Sequence, residues 1–206
     1  MTDLSQTDWR DITYLQRGNP RQQQAYRALR HLRVFEILRD YSPVLAGTFP
    51  LDISLPGSDL DILCEAYDLV GFRQRVAAAF RDYADFQIKE KIIKGIWSLV
   101  ASFQAGDFRI EIFGQPRPVE EQHAFRHMLV EARLLEIGVP DARDEIRRLK
   151  GKGLKTEPAF ARYFGLDGDA YEVLLELSFL TLEELYTVLN KGDQEDGDDS
   201  INPSLI

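Results

Sequence analysis

The spacing of apolar residues changes character once along this chain. Its first half mixes helical and strand-like repeats, and its second half keeps only the helical one. Residues 1–19 read as a lead-in with a short turn around Asp11 to Leu15, closed by the turn signal Asn19-Pro20. From Arg21 to about Tyr41, Ala25, Leu29, Leu32, Phe35 and Leu38 recur at helical spacing, with Arg27, Arg30, Arg33 and Arg39 among the polar positions, which predicts an amphipathic helix. Ser42-Pro43 ends it, because the residue before proline is pushed out of the α region. Val44-Leu45-Ala46 predicts a short buried strand ending at Gly47. Pro50 and Pro56 bracket a segment, Leu51 to Leu55, that alternates like a strand. Leu60 to Cys64 predicts a further strand, and Asp68 to Tyr83 a helix capped by Asp68 with Val76, Ala79 and Phe80 inward. Three strand-like runs follow, Phe86 to Ile93, Ile96 to Gln104 and Phe108 to Gly114, separated by hairpin-sized turns at Gly95 and Gly106-Asp107.

After Pro116 and Pro118 only helices are expected. They run from about Val119 to Glu136, from Pro140 to about Lys150, through a short helix with Pro158 in its first turn and Thr156 or Glu157 as cap, and from Asp169 to Phe179. Thr181-Leu182-Glu183-Glu184 fits a capping box that starts a last helix through Leu189. The expected division is an α/β core at 20–117, a helical C-terminal part at 118–191, and an acidic, disordered tail at 192–206. The fold class is therefore α/β: a small mixed sheet with helices on one side, followed by helices, with one cleft between the two parts.

Composition adds boundaries rather than identity. With 206 residues, 44% hydrophobic and 29% charged, the chain suits one substantial core. No apolar run approaches the ~20 residues that span a bilayer, and the polar, acidic start MTDLSQTDWRD is not a secretory signal. A single cysteine, Cys64, fits a reducing cytoplasm and reads as a small buried apolar residue. The formal net charge is −9, of which the stretch from Lys191 onward carries −4 and the body −5. An acidic body disfavours a long nucleic acid as partner. The one basic stretch, Arg143 to Lys155, reads either as a solvated helix face or as a phosphate contact.

Candidate chemistry centres on Asp59 and Asp61. Two acids separated by one residue in a strand point to the same face, and a fixed pair beside the Gly47-Thr48 turn is a way to hold a divalent metal next to phosphate. On the later strand Arg109, Glu111 and Phe113 share one face and Phe108, Ile110 and Ile112 the other. An acid inside an apolar strand is costly to bury alone, which makes Glu111 the natural third member. The plain alternative is that Asp59 caps its strand, Asp61 pairs with an arginine such as Arg109, and no metal binds.

The order strand, Gly-Thr, ten residues, Asp-x-Asp, helix, and a later strand with a third acid resembles the nucleotidyltransferase superfamily of the DNA polymerase β type. GTFPLDISLPGSDLDILCE and GLKTEPAFARYFGL resemble more closely a bacterial family catalogued as domain of unknown function 4269, over roughly residues 20–185. The resemblance implies a nucleotidyltransferase-like core that uses Mg2+ or Mn2+ to move a nucleoside monophosphate from a nucleoside triphosphate to a hydroxyl. Asp59, Asp61 and Glu111 would hold the metal, and Glu111 would help deprotonate the acceptor. Gly47, Thr48 and Ser58 would meet phosphate, and the acidic body favours a small molecule or a protein as acceptor. Two departures stand out. Thr48 replaces the usual serine, and the spacer holds two prolines where many members place a phosphate-binding helix N-terminus.

Other residues carry two readings each. His123, His127 and Glu131 fall at i, i+4 and i+8, as a polar or solvated helix face, with His123 and His127 alternatively touching substrate beside Glu111. Gly153 to Pro158 is either a plain helix break with a capped restart, or a segment whose Lys155 reaches the triphosphate. Trp97 shares an apolar strand face with Leu99 and Phe103 and reads as core. The rival functions are a non-catalytic nucleotide- or partner-binding protein of the same fold and an antitoxin-like component that masks or modifies a partner.

Overall fold

The computed structural model describes residues 7–138 and 140–195. The first helix is α1 (Pro20–Leu32), opened by Asn19 and Gln22 in a reciprocal capping box with proline in the first turn. It does not run on to Tyr41 as the periodicity suggests. Arg33 takes a left-handed conformation (φ +53) and a single further turn, α2 (Val34–Ile37), leaves in a new direction. Leu32 and Val34 are both buried, and residues two apart in one straight helix cannot share a face, so the break buries both. Ahead of α1, the short turn expected around Asp11 to Leu15 is a helical turn over Ile12–Arg17, capped by Asp11 and with Leu15 in the core. Residues 1–6 of the expected lead-in lie outside the described residues.

Five strands follow: β1 (Val44–Ala46), β2 (Leu60–Glu65), β3 (Ala84–Ile93), β4 (Ile96–Ala105) and β5 (Phe108–Gln115). The sheet order is β1-β2-β5-β4-β3, with β2 and β5 parallel and every other pair antiparallel, so it is mixed as expected. Between β2 and β3 lies α3 (Leu69–Phe80), whose cap Asp68 accepts from the backbone N–H groups of Val70 and Gly71. The odd-even pattern of each strand then divides two cores. Leu60, Ile62, Ile110, Ile112 and Phe103 face α1 and α3, where Phe80 stacks on Phe103 with ring centroids 4.9 Å apart. Leu63, with Val44 and Ala46, faces the C-terminal helices instead.

Those helices are α4 (His123–Ile137), α5 (Ala142–Gly151), α6 (Thr156–Phe164), α7 (Ala170–Leu177) and α8 (Leu182–Glu195). Glu184 and Thr181 form the expected box at the start of α8. The helix continues to Glu195 rather than stopping at Leu189, so only residues 196–206 of the expected disordered tail lie outside the described residues. Among the described residues no helix is long and apolar enough to cross a membrane.

Two expectations fail for tertiary reasons. Leu51 to Leu55 is not a strand: the segment is a turn-rich loop whose Leu51 and Ile53 are fully buried in the second core. Its alternation comes from anchoring side chains into that core and not from a ladder. Trp97 is 57% exposed rather than core. It lies on the predicted face, but the N-terminal end of α3 covers the sheet only as far as Leu99 and Gly114, where Phe72 packs, and the β3–β4 hairpin extends beyond it.

Candidate functional site

Parallel pairing of β2 with β5 sets Asp61 and Glu111 in register on neighbouring strands, on the face away from the α1/α3 core. The antiparallel edge strand brings Ala46 opposite Asp61, so that Gly47 (φ +74) turns the chain directly beside that carboxylate. Asp61, Glu111, Gly47 and Thr48 all line one cavity of about 740 Å3 between the sheet and the C-terminal helices. A volume of that size is in the range of small-molecule sites.

Both facing acids are shifted upward. Burial, then Glu111 and Asp59, push the Asp61 carboxyl up to about 8, with Lys150 opposing. Glu111 is also raised, by burial first and Asp59 second, against the pull of Lys91 and Arg109. Asp59 is raised by burial and eased by Arg109, whose Nε lies 3.9 Å from its Oδ2. Arg109 therefore neighbours Asp59 and not Asp61. Among the described residues no three His, Cys, Asp or Glu side chains are grouped closely enough to hold a metal ion on their own. The donor chemistry still fits a hard divalent cation: Asp61 and Glu111 are carboxylates kept close at an electrostatic cost that a cation would relieve, and phosphate oxygens can complete its shell.

The basic stretch has a task that its sequence does not announce. Arg143, Arg147 and Lys150 fall at i, i+4 and i+7 on one face of α5 and clasp the loop between Gly47 and Ser58. Arg143 donates to the Leu51 carbonyl (3.2 Å), Arg147 to the carbonyl and side chain of Asp52, and Lys150 to the Ile53 carbonyl (2.8 Å). From the other side Asn19 donates to the Asp52 side chain and Gln22 to the Phe49 carbonyl. These donors replace the strand neighbours that the loop's carbonyls lack. Lys150, half-buried, is pushed down to about 8 by desolvation despite Glu131, Glu157 and Asp61 nearby.

The opposite wall of the cavity comes from α4, α6 and α7. His123, His127 and Glu131 all line it, so the i, i+4, i+8 face looks into the cleft and not to solvent. His127 Nε2 lies 3.0 Å from the Tyr171 carbonyl, which can only accept, so that nitrogen carries a proton. Nδ1 lies 3.3 Å from Glu157 Oε1. Burial raises the Glu157 carboxyl, but the hydrogen bond with His127 and its own backbone N–H outweigh this and leave it below the ordinary range. Burial, then His127, Lys94 and Arg117, pull His123 down. Lys94, at the β3–β4 turn, reaches Glu172 on α7 at 2.8 Å, closing an ion pair across the rim.

Asp61, Glu111, Gly47, Thr48, His123 and His127 therefore share one cavity. Asp59 stands next to it on the side of Arg109, and Ser58 accepts from the Leu55 N–H (2.9 Å) within the loop. Lys155 caps α6 from an exposed position and is not part of the lining; Thr156 and Glu157 are. Lys94, Arg117 and Glu131 line the cavity without having been singled out for it. For Arg117 the sequence offers little signal beyond its place between Pro116 and Pro118.

The family described as domain of unknown function (DUF4269) matches residues 27–177, and the chain belongs to that family. No curated protein matches the sequence. Among solved structures, the chain is similar to Cid1 described for its RNA terminal uridylyl transferase activity, with 14% identity, 62% of this chain and 40% of that chain covered, and a TM-score of 0.45. A second is Cid1 poly(U) polymerase with Mg 3'-dATP bound, at 17% identity, 74% and 46% coverage and a TM-score of 0.47. A third is the polymerase core of TRAMP, an RNA surveillance complex, at 12% identity, 92% and 62% coverage and a TM-score of 0.45. The chain spans less than half the length of the two Cid1 structures.

Proposed function

We propose that this protein is a metal-dependent nucleotidyltransferase that moves a nucleoside monophosphate from a nucleoside triphosphate to a hydroxyl on a small molecule or a protein. The observation that carries this reading is the in-register pair Asp61 and Glu111, facing one cavity beside a positive-φ glycine. Asp61 and Glu111, with Asp59 adjacent, are the residues that would hold Mg2+ or Mn2+. When bound, such a cation supplies Lewis-acid polarisation of the α-phosphate and eases ionisation of the attacking hydroxyl.

The chain's own groups account for the remaining demands. Glu111, raised above the ordinary carboxylate range, accepts the hydroxyl proton as the acceptor oxygen bonds to the α-phosphorus. The bond from that phosphorus to the α–β bridging oxygen breaks, and its electrons leave with pyrophosphate. Gly47 leaves its backbone open to the phosphates and Thr48 offers a hydroxyl. Lys94, Arg117 and His123, from the rim and far wall of the same cavity, face the charge that departs. They take the role expected of Lys155.

One observation favours a second reading. Asp59 lies against Arg109, and no three acids converge among the described residues, as suits a non-catalytic nucleotide- or partner-binding protein, antitoxin-like or otherwise. Incubation of the full chain with each of the four α-labelled nucleoside triphosphates and Mg2+ or Mn2+ separates the two. Label transfer that disappears in Asp61→Asn supports the enzyme. Nucleotide binding without transfer supports the second reading, and absence of both overturns the transferase.

A further inference from the structure

Glu131 is the most deeply buried acid of the cavity wall. Its residue is 3% exposed, it lines the cavity, and its carboxyl has neither a hydrogen bond nor an ion pair among the described residues. Neighbouring groups do not satisfy it. The Lys150 ammonium acts on it only from a distance while donating to Ile53, and Glu157 is engaged with His127. A buried carboxyl with no partner is expensive, and burial together with Glu157 holds this one protonated well above the ordinary carboxylate range. Such a group on the wall of a cleft is a vacancy for a hydrogen-bond donor, and best of all for a cationic one, which offsets the desolvation cost of the carboxylate. The surroundings disfavour an anion there, since after burial the strongest influence on the Glu131 carboxyl is the like charge of Glu157. Phosphate belongs instead with Lys94 and Arg117 at the rim.

We infer that Glu131 forms a subsite for an ammonium group, so that the acceptor is a small amino-alcohol whose amine meets Glu131 while a hydroxyl faces Asp61 and Glu111. The identification of this ligand as the acceptor rests on the transferase reading; the subsite itself does not. The sheet acids and Glu131 line the same cavity of about 740 Å3, contributed by opposite walls.

Glucosamine and glucose test this, because they differ at one position by an amine in place of a hydroxyl. Each is titrated into the full chain without nucleotide, by calorimetry or saturation-transfer NMR, in the native protein and in Glu131→Gln. The expected result is at least tenfold tighter binding of glucosamine by the native protein, with the ratio falling to about one in the variant. Equal binding by the native protein, or a preference that survives in Glu131→Gln, overturns the subsite. Should Glu131→Gln not fold, a native crystal soaked with glucosamine decides: the amine against the Glu131 carboxyl supports the subsite, and any other placement overturns it. Amine-selective binding without label transfer leaves the subsite standing and sinks the transferase. Transfer to glucose and glucosamine alike does the reverse.

Discussion

A Cβ placed on Gly47 would lie 2.5 Å from Oδ2 of Asp61, closer than real side-chain contacts allow. The turn that ends β1 and the first acid of β2 are thus fitted to each other across the antiparallel pair Ala46–Asp61. The absence of a side chain at Gly47 lets Asp61 stand where it does, and the positive φ of 74 degrees lets the backbone leave toward the loop.

Gly47→Ala should therefore cost stability twice, through the left-handed backbone and through the displaced carboxylate. A loss of about 1–3 kcal/mol is expected in denaturant unfolding. Any nucleotidyl transfer should fall further than stability does, because Asp61 must move. A variant as stable as the native chain would show that the loop relaxes freely and that the fit is unimportant.

Asp61 also gives a pH dependence with a definite sign. Its folded pKa of about 8 lies above the ordinary 3.8, so the folded state binds more protons than the unfolded one between those values. Stability from this group is complete below about pH 4 and is lost as pH rises toward 8. Asp61→Asn removes the loss and should raise stability at pH 8 by up to about 5 kcal/mol, at about 1.4 kcal/mol per pKa unit. Mg2+ should stabilise the native chain and leave Asp61→Asn unmoved. Thermal melting across pH 5 to 8, with and without Mg2+, checks both statements.

The loop between Gly47 and Ser58 depends on α5 rather than on itself. Arg147→Ala removes donors to both the carbonyl and the side chain of Asp52, a non-glycine residue held at φ +58. A loss of about 1–3 kcal/mol follows from the orphaned carbonyl. Hydrogen exchange should speed up at the Asp52 and Ile53 amides, which donate to the Phe49 and Thr48 carbonyls. Faster exchange spread evenly over α5 instead would assign Arg147 to the helix and not to the loop.

These sites also mark what the sequence could and could not disclose. The strands, their hairpin turns and the caps at Asp68 and Thr181 were legible because their causes are local. The same holds for the faces of Asp61 and Glu111, which period-two alternation decides within each strand. That the two acids meet depends on the register of β2 with β5, set by residues about fifty positions apart. Leu51 and Ile53 alternate like a strand because they anchor a loop, and the clasp by Arg143, Arg147 and Lys150 depends on α5 packing against that loop, which no local pattern announces. Trp97 was placed on the correct face, but where α3 stops covering that face is a tertiary matter. Glu131 was found on its helix face, and its burial depends on α6 and α7 closing over it.

The rim ion pair between Lys94 and Glu172 yields variants with opposite signs. Both side chains are more than half exposed, so the pair should contribute little to stability, and neither Lys94→Ala nor Glu172→Ala should change the melting temperature appreciably. Their effects on nucleotide binding should diverge. If Lys94 meets the triphosphate, its removal weakens ATP binding severalfold, whereas Glu172→Ala frees the ammonium from its competitor and tightens binding. A merely structural bridge would make the two variants behave alike, since either one breaks it. Titration of ATP with Mg2+ into the native chain and both variants, at low and at high salt, reads the sign directly, and the divergence should shrink as salt screens the exposed charges.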